Sequence, residues 1–140
     1  MKAILAAAAL VLAAACSDPS GPAGPVQVRT DASIYHLPGS ESSVVVGFTV
    51  RNTGSEPISV GDCGAASVAA IPDRREGSAW VQQFSCVNLP VYFPPRVLAP
   101  GEVAEGEVSV FGAGRYRIRV PMAQGELSAE AVSPDFIVSP

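Results

Sequence analysis

One histidine, three cysteines, an alternating run of arginines and a short run of glutamates carry most of the reactive groups in this 140-residue chain. A hydrolase needs a nucleophile with a base in reach. His36 is the only histidine, and its setting in Tyr35-His36-Leu37-Pro38-Gly39 reads as a strand running into a turn. Joined by a serine and an aspartate it would supply the base of a triad. No sharp Gly-x-Ser-x-Gly nucleophile turn accompanies it, so a turn histidine is the expectation. The only lysine is Lys2, which removes Schiff-base chemistry from the rest of the chain, and no glycine-rich phosphate loop with a lysine is present. No enzyme activity and no cofactor are therefore expected.

Metal chemistry fares no better. Apart from Cys16, two cysteines and one histidine fall short of a zinc site. Glu102, Glu105 and Glu107 lack calcium-loop spacing, and at period two Glu105 and Glu107 share one side of a strand, facing solvent. No metal site is expected. Nucleic acid is also excluded as a partner, because a net charge of −4 offers no basic surface to displace counterions.

The row Arg115, Arg117 and Arg119 is more distinctive. In a strand the three guanidinium groups lie on one face, opposite Tyr116, Ile118 and Val120. Planar guanidinium forks suit carboxylate or phosphate, so the row is a candidate binding surface; a solvated face balanced by glutamates is the competing reading. Pro90-Val91-Tyr92-Phe93-Pro94-Pro95 adds an apolar loop whose Tyr92 and Phe93 form a second candidate surface, with packing across one end of the domain as the alternative. Trp80, the lone tryptophan, is expected in or beside the core.

The elements that position these groups begin after a leader. Lys2 precedes thirteen apolar residues, Ala3–Ala15, too short to span a bilayer but matched to the hydrophobic region of a signal peptide, about 7–15 residues. The small residues Ala13-Ala14-Ala15 stand directly before Cys16. This resembles a bacterial lipoprotein signal with its lipobox, which implies cleavage before Cys16, lipid on its thiol and attachment of the protein to a membrane. Ala13 stands where leucine is usual, and Ala13-Ala14-Ala15 also fits ordinary signal peptidase, which would leave a soluble periplasmic protein. The string Ser17-Asp18-Pro19-Ser20-Gly21-Pro22-Ala23-Gly24-Pro25 suits a flexible tether. Ser17 after the cysteine resembles an outer-membrane sorting signal.

With Cys16 assigned to the leader, Cys63 and Cys86 remain as an even pair in an oxidising compartment. A disulfide between them would close a loop of about 24 residues and contribute about 3 kcal/mol.

Apolar content of 48% against 16% charge argues for a folded core. Thirteen glycines and thirteen prolines argue for many short elements instead of long helices. From Val26 the pattern has period two: Val26/Val28/Thr30, Val44/Val46/Phe48/Val50, Ile58–Val60, Ser67–Ile71, Ser78–Phe84, then Val103–Phe111, Tyr116/Ile118/Val120 and Asp135–Val138. Asn52–Pro57 and Pro72–Gly77 read as turns. The expected fold is all-β, an immunoglobulin-like antiparallel β-sandwich of about seven strands spanning residues 26–140, after a signal peptide (1–15) and a lipidated cysteine with tether (16–25).

Two motifs support that topology. Gly114-Arg115-Tyr116 resembles a tyrosine corner, and Leu98-Ala99-Pro100-Gly101-Glu102 resembles the turn before the fifth strand of bacterial sandwiches. A simple hairpin pairing Val110 with Tyr116 and Glu107 with Arg119 is the alternative. The spacing of Arg51-Asn52-Thr53-Gly54, Pro57-Ile58-Ser59-Val60, Gly77-Ser78-Ala79-Trp80, Pro100-Gly101-Glu102 and Gly114-Arg115-Tyr116 resembles the bacterial intracellular proteinase inhibitor family, which implies the same fold and, as the alternative function, protease inhibition by presenting a loop to a protease. The leading expectation is a lipid-anchored, non-catalytic cell-envelope module that binds a protein or envelope component.

Overall fold

The structure is a computed structural model and describes residues 24–39, 42–64, 67–89 and 93–140. The leader 1–15, Cys16, most of the tether and Tyr92 lie outside the described residues. The described residues form eleven strands: β1 (Val26–Thr30), β2 (Ile34–His36), β3 (Ser43–Asn52), β4 (Ile58–Val60), β5 (Ile71–Glu76), β6 (Ala79–Gln82), β7 (Arg96–Leu98), β8 (Val103–Phe111), β9 (Gly114–Gln124), β10 (Leu127–Val132) and β11 (Phe136–Ser139). A single 3-10 turn, Cys86–Asn88, interrupts them.

They make an all-β sandwich. One sheet is ordered β1-β3-β8; the other runs β2-β11-β9-β4-β7, with β10 and the β5–β6 hairpin also joined along β9. The first edge splits between layers: β1 pairs antiparallel with β3, while β2 pairs parallel with β11. This split, with β3 beside β8 in one layer and β11-β9-β4 in the other, is the immunoglobulin-like arrangement. The strands outnumber the seven expected from sequence, because the split first strand, the β5–β6 hairpin and β10 each add to the basic set.

Alternation decides which face is buried. In β8, Ala104, Gly106, Val108 and Val110 point inward while Glu105, Glu107 and Ser109 point out. In β9, Tyr116, Ile118 and Val120 enter the core opposite the arginines. These meet Val46, Phe48 and Val50 of β3, each such side chain contributing about 1.5–3 kcal/mol of burial. Gly106 faces Phe48 across the β3–β8 pair, and a Cβ there would run into the ring, so glycine makes room for the aromatic.

The hairpin alternative for Gly112-Ala113-Gly114 is not what the chain adopts. Val110 pairs with Val44 and Glu107 with Gly47, whereas Tyr116 faces Phe136 on one side and Arg74 on the other. The linker therefore crosses from one sheet to the other. The Tyr116 hydroxyl donates to the carbonyls of Phe111 and Gly112, the latter at 3.0 Å, closing a tyrosine corner. At the other end Asn52, fully buried, ties the loop after β3 to the end of β7. Its side-chain amide donates to the Glu56 and Leu98 carbonyls at 2.8 and 3.0 Å, and its Oδ1 accepts from Gly54 N–H.

One stretch departs from its sequence reading. Pro72–Gly77 looks like a turn, yet Ile71–Glu76 is strand β5, and the reversal is confined to Gly77-Ser78, where Gly77 adopts φ 59°. Pairing to β9 on one side and β6 on the other overrides the local turn signal. Of the expected strand Ser67–Ile71, Ile71 opens β5, and among Ser67–Ala70 Val68 alone bridges, to Asp62.

Candidate functional site

The β5–β6 hairpin sets its polar side chains against the arginine row. Asp73 lies opposite Arg117 on β9 and opposite Gln82 on β6, and is almost completely buried. A buried carboxylate needs charged hydrogen-bond partners to offset its lost hydration. Arg119 provides two, with Nε to Asp73 Oδ2 at 2.8 Å and Nη2 to Oδ1 at 3.0 Å. Its Nη1 donates to both oxygens of Glu130, at 2.8 and 3.0 Å, and Nη2 also reaches Gln82 Oε1 at 3.2 Å. Asp73 raises the Arg119 pKa above its ordinary value against the opposing effect of burial, and Glu130 adds to the rise.

Arg117 donates from Nε to Asp73 at 3.0 Å, and its guanidinium carbon lies 4.6 Å from the Trp80 ring centroid. Arg75 stacks on the same indole at 5.3 Å. Arg115 reaches Asp135 only at 3.9 Å and stays exposed. The row does share one face, as its spacing requires. It is not a stripe of free cations: Arg117 and Arg119 are held by Asp73, and Arg115 alone projects. Asp73 was hidden from sequence reading because it sits in an apparent turn, far along the chain from its partners.

On the side of the sandwich beyond β4, Cys63 and Cys86 form a disulfide with their Cα atoms 5.8 Å apart. Cys63 N–H donates to the Ser67 carbonyl at 2.8 Å, and the Leu89 N–H returns to the Cys86 carbonyl at 3.0 Å. Ser85 N–H donates to Asn88 Oδ1 at 3.0 Å, which fixes the short turn. Phe93 rests over Gly64, where a Cβ would lie 2.9 Å from its ring. Phe84, Val87, Leu89 and Phe93 are all exposed; Phe84 retains 63% of its accessible surface. Of the sequence-predicted loop, Phe93 belongs to this lobe and Tyr92 lies outside the described residues. Arg96, the nearest cation in sequence, is paired with Asp62 at 2.9 Å.

The parallel β2–β11 register puts Ser139 beside His36, with Oγ and Nδ1 2.6 Å apart. Ser139 Oγ also contacts the Tyr35 carbonyl at 3.3 Å. Among the described residues no carboxylate hydrogen-bonds His36, so the pair stands without the third member of a triad. Glu105 and Glu107 face outward as expected, along a groove of about 510 Å³ shared with Asp31, Thr49 and Ser67. The Tyr35 hydroxyl donates to Asp31, and burial together with that carboxylate pushes the phenol up to about 12. Among the described residues no three His, Cys, Asp or Glu side chains are placed to hold a metal ion, and no helix is long and apolar enough to cross a membrane.

No protein-family model matches the chain, and no curated protein matches it. Among solved structures it is similar to the putative ApaA protein of Bordetella pertussis, with 21% identity, TM-score 0.45, and coverage of 81% of this chain and 89% of the other. It is also similar to the alkylpurine DNA glycosylase AlkC of Pseudomonas fluorescens, with 12% identity, TM-score 0.39 and coverage of 83% of this chain. The chain spans only 31% of the glycosylase's length. A β-glucosidase from Listeria innocua is similar at 12% identity and TM-score 0.35, over 82% of this chain and 16% of the enzyme.

Proposed function

We propose that this protein is a non-catalytic, immunoglobulin-like module of the bacterial cell envelope, held to a membrane by lipid on Cys16 and presenting its side surface to an envelope component. The observation that carries the reading is the Cys63–Cys86 disulfide. Disulfides persist in oxidising compartments, which agrees with an exported chain. The pairing leaves Cys16, placed directly after the apolar run Ala3–Ala15, as the odd cysteine. The tether from Ser17 to Pro25 gives such an anchor slack. The non-catalytic part of the reading is supported by His36, whose serine contact has, among the described residues, no carboxylate to orient the imidazole.

The test is the intact mass of the mature protein together with amine labelling. Cleavage before Cys16 with a thioether lipid and an N-acyl chain leaves no free amine, since Lys2 is the only lysine. The expected product carries the mass of the lipid and resists amine-reactive dye. Labelling at one site would mean a free amino terminus, and an unmodified residue 16 would mean a soluble periplasmic protein.

A further inference from the structure

We propose that the disulfide-pinned lobe Phe84–Leu89, with Phe93 over Gly64 beside it, docks on the lipid surface to which Cys16 tethers the protein, so that the domain lies against its membrane instead of swinging free. The proposal rests on the anchor reading given above.

Charge is the first argument. From Gly77 to Gly101 the chain carries one side chain charged at neutral pH, Arg96, and that one is neutralised by Asp62 at 2.9 Å. A surface entering the headgroup region must shed water, and ions oppose this strongly while neutral amides and aromatics oppose it little. Phe84, Val87, Leu89 and Phe93 are exposed and apolar, and Asn88, exposed among them, is uncharged. Preorganisation is the second. The Cys63–Cys86 bond and the Ser85–Asn88 turn already hold the lobe, so docking costs little ordering entropy.

Reach is the third. The Leu98 carbonyl is hydrogen-bonded by Asn52, and the next two residues, Thr53 and Gly54, donate to the Pro25 carbonyl at 2.7 and 3.1 Å. Phe93 is five residues from Leu98, no more than about 17 Å of extended chain. The tether from Cys16 to Pro25 extends to about 30 Å. A lipid on Cys16 therefore keeps the lobe within range of the bilayer, and tethering turns a weak contact into an effectively intramolecular one. A surface this small holds poorly alone, as single weak membrane signals do, and the anchor supplies the second signal.

The test uses the full mature lipoprotein reconstituted in phosphatidylcholine–phosphatidylglycerol vesicles. Phe84→Trp is introduced at this exposed position and read as the difference from the unsubstituted chain, so Trp80 stays in place. The expected result is blue-shifted emission from the new indole, quenching by lipids brominated near the headgroup, and protection from aqueous acrylamide. Adding Leu89→Glu should abolish all three while the protein still floats with the vesicles. Flotation with an indole that remains red-shifted and acrylamide-accessible overturns the docking and leaves the anchor standing. Burial of the indole only after envelope proteins are added overturns it in favour of a protein partner. Failure to float overturns the anchor and the docking together.

Discussion

On the outer face of β9 Arg117 and Arg119 lean on a shared acid while Arg115 projects, whereas the segment from Gly77 to Gly101 carries one paired charge and turns apolar side chains outward. The first region spends its polar groups on itself. Asp73 collects two guanidinium groups, and Glu130 and Gln82 occupy most of the donors that remain on Arg119. The second leaves Phe84, Val87 and Leu89 exposed. By this contrast the charged face, a candidate binding stripe in sequence, ties the hairpin to β9 through Asp73. None of the apolar lobe's exposed side chains belongs to the buried core cluster.

The sharpest way to break that contrast is to remove the joint. Asp73→Ala leaves Arg117 and Arg119 facing each other without their shared acid. Losing one partner of a buried ion pair costs about 3–5 kcal/mol. We expect a fall of that size in unfolding free energy, read from the urea midpoint. A loss under about 1 kcal/mol, the scale of exposed pairs, would mean that the arginines are free to serve a ligand.

Reducing the Cys63–Cys86 bond sharpens the other half. The bond spans 23 residues, and its loss should cost about 3 kcal/mol in the chain-entropy model. Hydrogen exchange should then rise first in the Cys86–Leu89 turn, with β9 protected until global unfolding. Simultaneous loss of protection in β9 would show that the lobe and the arginine face are one cooperative unit.

The two regions were unequally legible in sequence. Alternation in Val103–Phe111 and Tyr116–Val120 is strong because each strand buries one face only, and it placed the core and the arginines correctly. Gly114-Arg115-Tyr116 marked the corner because the motif is local. Asp73 was not legible, since Pro72-Asp73 followed by Arg74-Arg75-Glu76-Gly77 carries turn chemistry, and only a partner strand more than forty residues away makes it β5. Strand β10 escaped for a similar reason. Leu127, Ser128, Ala129 and Glu130 are all exposed, so no alternation betrays them, and pairing with β9 alone defines the strand. The lobe's neutrality is written in the sequence; its exposure is a property of the fold.

Tyr116 tests the sandwich beneath both regions. Tyr116→Phe removes the hydroxyl that serves the Phe111 and Gly112 carbonyls, for an expected loss of about 1–2 kcal/mol. Burial raises the Tyr116 pKa above its ordinary value, only partly opposed by the nearby Arg74 charge. Its contribution is thus fully present below pH 10, the unfolded phenol's value, and is lost as pH climbs toward the higher folded value. Stability measured above pH 10 should fall less steeply in Tyr116→Phe than in the parent chain. An unchanged slope would assign the alkaline loss to Tyr35, which is held up at about 12 by burial and Asp31.

The smallest effect on stability is expected where the effect on membrane contact is largest. Phe84→Ser and Leu89→Ser replace exposed apolar groups, and surface changes of this kind fall within about ±0.5 kcal/mol. Their urea midpoints should match the parent's, while quenching by headgroup-brominated lipids of a tryptophan placed at Val87 should disappear. A cost above about 2 kcal/mol would instead be the signature of a packed side chain. The lobe would then be a lid over the disulfide, as much a structural joint as the arginine face, and the contrast between the two regions would collapse.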